Sequence, residues 1–346
     1  MDILVADLGG THSRFARFSF EDNMINIEEN LVLSSRGTSF HALLENLLNS
    51  WPGGKNFFNS LSLIVIAAAG QRNNGKISMT NADFSVTQET ILKFFPKRDI
   101  IIINDFEAQA RACLTPIMQK ARLIHGKSPS LPSAESPSCL CRNNNLRPIV
   151  TVGAGTGLGM ACLLSGQTLQ ESLVLPSEAG HIAFPFEGKE ELGFASFLAD
   201  RHRTQVTAEH VLSGGGLAAL YEYLHGISLT PAEFTADPDF KESLCCRLFA
   251  RFYGRFCKMM TLTLLPRALV ITGGVAEKTP SLIYHQEFIN EFLRAGKAQK
   301  NFLADIPLWL NLHPQAGLFG GVQAGVSFLQ ASGSTDARGS VQYVLN

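Results

Sequence analysis

No stretch of this 346-residue chain approaches the ~18–20 continuous apolar residues of a membrane span. The longest apolar runs, such as residues 61–69, stop far short of it. An excess of one charge is missing too. With 29 Lys+Arg against 30 Asp+Glu the formal net charge is −1, and charged residues make up only 17% of the chain. Such a balance lacks the basic excess that drives nucleic-acid binding, so neither membrane nor nucleic acid is an expected partner. A disulfide framework is also absent. The seven cysteines (Cys113, Cys139, Cys141, Cys162, Cys245, Cys246 and Cys257) are odd in number and irregularly spaced. Cys139-x-Cys141 and the adjacent Cys245-Cys246 supply no Cys-x-x-Cys pair of the kind zinc sites use. Reduced, mostly buried thiols in a cytoplasmic protein are the expectation. Met1-Asp2 leads straight into a strand-like run, so no signal peptide is expected. What the chain does have is apolar content: 45% hydrophobic residues can bury a large core. Its length exceeds the ~250–300 residues at which single cores stop growing, which predicts two domains.

Residues 3–6 form a short apolar run that stops at Asp7 and meets the turn Gly9-Gly10-Thr11. From 14 to 20 the chain alternates, with Phe15, Arg17 and Ser19 on one face and Ala16, Phe18 and Phe20 on the other. This predicts two strands joined by a glycine turn, with a third over 31–34. Phe40, Leu43, Leu44, Leu47 and Leu48 recur at helical spacing, so 39–50 reads as an amphipathic helix. A buried strand over 61–69, a helix over 87–95 and an isoleucine-rich strand over 99–103 follow. Asn104-Asp105 then stands where it could cap a helix over 106–114. Apolar strands alternating with helices argue for an α/β fold, a mixed sheet covered on both faces.

Residues 127–148, with Pro129, Pro132, Pro137, Pro148 and several serines, read as a surface loop; a lid or contact loop is the functional alternative. The first cycle then repeats: a strand over 149–152, the turn Gly153-Ala154-Gly155-Thr156-Gly157, and a strand over 158–164. Thr11 and Thr156 occupy matching places, an internal duplication of architecture. Farther on come a helical region at about 243–265, a strand over 269–272 ending in Gly273-Gly274, a strand over 307–312 and a helix over about 317–330. The polar residues 331–340 are expected to fray.

Two strand-turn-strand glycine loops suggest a phosphate clamp, because glycine lets backbone N–H groups approach phosphate oxygens. Neither is a Walker A loop or a dinucleotide fingerprint, since each leads into a strand. Gly9-Gly10-Thr11 alone is equally a tight hairpin. A second such loop and a third Gly-Gly pair are harder to explain that way. Asp105, at the carboxyl end of an apolar strand, fits either a general base or a helix N-cap. Glu178 and His181 are three apart; taken alone they read as a solvated acid and a satisfied histidine. Asn81 is an amide donor or a turn asparagine. Asp7 ends the first strand, facing the glycine turn it could order.

Asp7-Leu8-Gly9-Gly10-Thr11-His12-Ser13-Arg14 resembles the first phosphate motif of the bacterial glucokinases, in the hexokinase–actin superfamily. Ile103-Asn104-Asp105-Phe106-Glu107-Ala108 resembles their catalytic segment, and Gly153-Ala154-Gly155-Thr156-Gly157-Leu158-Gly159 their second phosphate loop. Glu178-Ala179-Gly180-His181 is similar to their sugar motif, with Ala179 where a glycine is usual. Ala208-Glu209-His210-Val211-Leu212-Ser213-Gly214 resembles a further sugar-contacting segment, and Ile271-Thr272-Gly273-Gly274-Val275 the adenosine-side loop. Ala67-Ala68-Ala69-Gly70-Gln71 departs from the usual Gly-Pro pair.

The resemblance implies two actin-like (ribonuclease H-like) α/β domains with mixed sheets around a central cleft. The small domain would hold residues 1–109, with the tail 314–346 returning to it, and the large domain residues 110–313. It implies ATP-dependent phosphorylation of glucose with Asp105 as general base. Asn104, Asp105, Glu178, His181, Glu209 and Asn81 would bind the sugar. Ala6, Asp7, Leu8, Gly9, Gly10, Thr11, Gly153, Gly155, Thr156, Gly157, Gly273 and Gly274 would hold ATP, and Asp7 would reach Mg²⁺ through water. A homodimer is implied as well. The alternatives are a kinase for mannose, fructose or an N-acetylated sugar, or a non-catalytic sugar sensor.

Overall fold

The computed structural model describes all residues except 22–23, 53, 55, 74–75, 80–81, 83, 128–146, 165, 167–171, 333–341 and 345–346. In the first half the strands are β1 (Asp2–Leu8), β2 (His12–Glu21), β3 (Met24–Ser34), β4 (Leu61–Ala68), β5 (Gly70–Asn73), β6 (Lys76–Met79), β7 (Ser85–Thr87) and β8 (Asp99–Asn104). In the second they are β9 (Arg122–His125), β10 (Ile149–Ala154), β11 (Leu158–Leu164), β12 (Leu173–Ser177), β13 (Ala268–Thr272) and β14 (Leu308–Leu310), and β15 (Gln342–Val344) closes the chain.

Two six-stranded mixed sheets result, ordered β15-β3-β2-β1-β4-β8 and β12-β11-β10-β13-β14-β9. The duplication seen in the turns extends to topology. β1 runs antiparallel to β2 and parallel to β4, and β4 parallel to β8. β10 repeats this with β11, β13 and β14. Central parallel strands must bury both faces, which is why β1 and β4 are nearly all apolar. Leu4, Ala6, Ile64 and Ile66 fill one cluster; Ile3, Val5, Leu63 and Val65 fill the other. Helix Phe40–Ser50, capped by Ser39, covers the first face, and helix Ala316–Ala331 covers the second.

Helix Asp105–Ala112 leaves β8 and lies between the halves. On one side Arg111 donates to Gln323 Oε1 of helix Ala316–Ala331 (3.2 Å). On the other, the Gln109 side chain meets Thr272 at the end of β13, and Cys113 approaches Thr151 of β10. Helix Leu244–Leu264 lies in the core of the second half.

The pattern missed several elements. Strands β5–β7 form a separate three-stranded sheet. β12 is an edge strand in which Val174 is buried between the exposed Leu173 and Leu175, so its burial alternates but its hydropathy does not. Helix Gly188–His202 buries Glu191 beside Phe194 and Leu198, which blurs its apolar stripe. β15 pairs in parallel with β3 over only three residues, too short a run to carry a readable pattern. Most of the 127–148 loop and of the 331–340 tail, with Cys139 and Cys141, lies outside the described residues. The described cysteines are buried. Among the described residues no helix is long and apolar enough to cross a membrane.

Candidate active site

Both glycine turns open into one cleft of about 450 Å³ between the sheets. Gly9 and Gly10 enter it from the β1–β2 hairpin; Gly153, Gly155, Thr156 and Gly157 from the β10–β11 hairpin; Gly273 and Gly274 from the end of β13. The hairpin and ligand-loop readings are thus not exclusive, because each turn is a hairpin that faces the cleft. Asp7, Asn104, Asp105, Glu178, His181 and Glu209 line it as well.

Ala6, Leu8 and Thr11 stand apart from the residues that line the cleft. The Ala6 and Leu8 side chains alternate away from Asp7 into the core. Thr11 is not among the lining residues; its carbonyl accepts from Ser35 N–H at the end of β3. Asn81 lies outside the described residues.

Asn104, not Asp105, caps the helix. Its Oδ1 accepts from Phe106 N (2.8 Å) and Glu107 N (3.4 Å), while its Nδ2 donates to Gly70 O (3.1 Å). This leaves Asn104 one amide hydrogen for a ligand. Asp105, the first helical residue, is not the N-cap, although the backbone N–H groups of Phe106 and Asp105 reach its carboxyl and partly oppose the rise in its pKa. Burial, then the neighbouring Asp7, push the Asp105 carboxyl up to about 7, with Glu178 adding to the shift. A carboxylate poised there can exchange a proton near neutrality. Burial raises Asp7 as well, partly offset by Arg14, its cross-strand partner in β2.

Glu178 begins the tight turn of Ala179–His181, and its Oε2 stands 3.4 Å from His181 Nε2. Both open to the cleft. Glu209 Oε2 accepts from Leu158 N–H (2.8 Å), so this carboxylate also braces the start of β11.

The glycines divide by role. Gly273 has φ +93°, and a Cβ there would come within 2.6 Å of Ala154 O. At Gly159 a Cβ would lie 1.9 Å from the Phe106 ring, and at its register partner Gly153, 2.9 Å from it. These two glycines make the slot that seats Phe106, next to Asp105. Gly155 is different: its nearest neighbour would be Gly274 N at 4.0 Å, leaving open space on the cleft side. The sequence placed Gly153, Gly155 and Gly273 among the residues expected to hold ATP without separating these roles. It also passed over Gln109, Ser78 and Ser177, which line the cleft. Gln109 stands one helical turn after Asp105 and accepts from Thr272 Oγ1 (3.1 Å), the signal a helical projection would have offered.

The described lining holds four carboxylates (Asp7, Asp105, Glu178 and Glu209) and neither Lys nor Arg. A polyphosphate would be repelled here without a cation. No cluster of three or more His, Cys, Asp or Glu converges as a metal cage among the described residues. That donor set fits Mg²⁺, which keeps waters and phosphate oxygens and needs one or two carboxylates, with Asp7 the available one.

Comparison with known proteins identifies the family. The family model described as Glucokinase matches residues 4–327. The glucokinase of Photorhabdus laumondii is 26% identical over 328 residues, 92% of this chain and 94% of its own length. That of Sinorhizobium fredii is 29% identical over 336 residues, 92% of this chain and 90% of its own. The crystal structure of a glucokinase from an Antarctic psychrotroph matches with TM-score 0.68 at 26% identity, covering 93% of this chain and 98% of that one. The fold is of the actin-like class, and this chain belongs to the glucokinase family.

Proposed function

We propose that this protein transfers the γ-phosphoryl group of ATP to the 6-hydroxyl of glucose. The observation that carries the reading is Asp105: a carboxyl held near neutrality, relieved of capping by Asn104, between the Glu178–His181 pair and the glycine turns. Asp105 accepts the hydroxyl proton as the phosphoryl group moves. Glu178, His181 and Glu209 hold the other hydroxyls, and the backbone N–H groups of the three glycine turns hold the phosphates. Asp7 would hold Mg²⁺ through water. When bound with the nucleotide, the ion neutralises phosphate charge that four carboxylates would otherwise repel. With no Lys or Arg in the described lining, stabilisation rests on backbone donors and positioning.

The expected cytoplasmic location and homodimer belong to the same proposal, the dimer being open to sedimentation analysis. The test of function is ADP formation with a sugar panel, with and without Mg²⁺. Glucose should be preferred over fructose, since a carboxylate left without its hydroxyl costs ~1–3 kcal/mol. Equal efficiency on both sugars would reject the assignment of Glu178, His181 and Glu209. Mannose or an N-acetylated sugar outperforming glucose would name a different substrate, and sugar-independent ADP formation would reject the kinase reading.

A further inference from the structure

One buried helix reaches both ends of the cleft without lining it. Tyr253 and Arg255 of helix Leu244–Leu264 are 0% and 2% exposed, too little for either to meet a substrate. At 3.6 residues per turn, side chains two apart diverge by ~200°, so they leave the helix on opposite sides.

Tyr253 Oη accepts from Ala154 N–H at 3.2 Å. Ala154 ends β10, one residue beyond the last pair of its parallel ladder, Gly153 and Thr272. Tyr253 therefore supplies the acceptor that the ladder no longer offers, at the point where the chain enters the turn of Gly155, Thr156 and Gly157. Arg255 works at the other end. Its Nη1 donates to Pro185 O (2.9 Å), its Nη2 to Glu191 Oε1 (2.9 Å) and its Nε to Glu291 Oε1 (3.2 Å). Glu191 Oε2 in turn accepts from Glu187 N–H (2.7 Å). These bonds hold residues 182–187, which follow His181 directly. That segment is laced to the one leading into Glu209: Phe184 N–H donates to Val206 O (3.2 Å), and Ala208 N–H to Ile182 O (2.9 Å).

We propose that Tyr253 and Arg255 are positioning residues that set the two ends of the cleft separately, Tyr253 the phosphate-side turn and Arg255 the sugar-side Glu178, His181 and Glu209. The proposal rests on the reading of the two ends given above. Tyr253→Phe keeps the ring and removes only the acceptor, leaving a buried N–H unpaired. Arg255→Lys keeps the charge and removes the planar fork.

The test measures KM for both substrates and amide hydrogen exchange of the ligand-free protein. Tyr253→Phe should raise KM for ATP about 5–50-fold and leave that for glucose within about 2-fold. Arg255→Lys should do the reverse. Exchange should quicken at residues 154–158 in the first variant and at 182–187 and 206–209 in the second. If Arg255→Lys does not fold, Glu191→Gln takes its place, with the same expectation. Equal shifts in both KM values with general loss of protection, or no change in either variant, would overturn the proposal. The exchange arm needs no turnover. A wild-type protein that forms no ADP with glucose would sink the kinase reading, while the exchange maps still decide whether the two ends are set separately.

Discussion

Asp105 is the residue on which the proposed chemistry turns, and its substitution separates base from structural element. Asp105→Asn keeps the shape and one acceptor but cannot take a proton, so kcat should fall by about 10²–10⁴-fold with ATP affinity nearly unchanged. Near-wild-type turnover in steady-state assays would remove Asp105 from the role of base. The pH profile belongs to the same group. With its carboxyl pushed up to about 7, kcat/KM for glucose should climb with pH and level off above about 7. Stability should run the other way. A carboxyl raised in the folded state contributes stability that is present below its ordinary value and lost as pH rises through about 7. The asparagine variant escapes that loss. Thermal melts should therefore show it at least as stable as wild type at pH 8, with the gap narrowing towards pH 4. The sequence showed that Asn104-Asp105 ends a strand before a helix. It could not show which residue caps, because both are good caps and the choice depends on where the helix starts in space.

The second glycine loop needs different things from glycines only a few residues apart. Gly155→Ala adds a Cβ into open space on the cleft side. It should leave stability within ~0.5 kcal/mol while raising KM for ATP. Gly159→Ala drives a Cβ into the Phe106 ring. It should cost ~1–3 kcal/mol in urea unfolding, because an overpacked slot must displace Phe106 or the strand pair, and it should lower kcat through Asp105. Identical effects of the two substitutions would mean that the slot is not what Gly159 provides. A run of alternating glycines announces close approach of something to the backbone. Whether that is a phosphate or an aromatic ring from another element is decided by packing across β10 and β11.

At the scale of the molecule, the sheets meet across the cleft and helix Asp105–Ala112 crosses between them. Glucose should draw the halves together, as ligands commonly do in two-domain proteins, and lower the radius of gyration in solution scattering. Identical curves with and without saturating glucose would count against closure. The buried ion network behind the sugar side should matter for stability. Burial pushes Glu291 up, but hydrogen bonds from Arg294, Lys258 and Arg255 outweigh it and hold the carboxyl at about 2. Its contribution is present above about 4.5 and lost as pH falls through about 2. Glu291→Gln would leave Arg255 short of a charged partner in a buried site, at a cost of ~3–5 kcal/mol measurable by urea unfolding.

What the sequence determined by itself was local and repetitive. The apolar runs of β1, β4 and β8, the helical spacing of residues 40–48 and the two glycine turns are periodic, and periodicity survives without coordinates. The sharing of one cleft by Asp7, Asp105, Glu178 and Glu209 was decided only by tertiary structure, because these residues are distant in the chain and meet through sheet order. So were the roles of Tyr253 and Arg255. In sequence they read as two more residues of a helical region, and only the strand end at Ala154 and the carbonyl of Pro185 give them their partners. Side-chain chemistry can be read one residue at a time, but a hydrogen bond to a particular backbone atom exists only once the chain has brought that atom within reach.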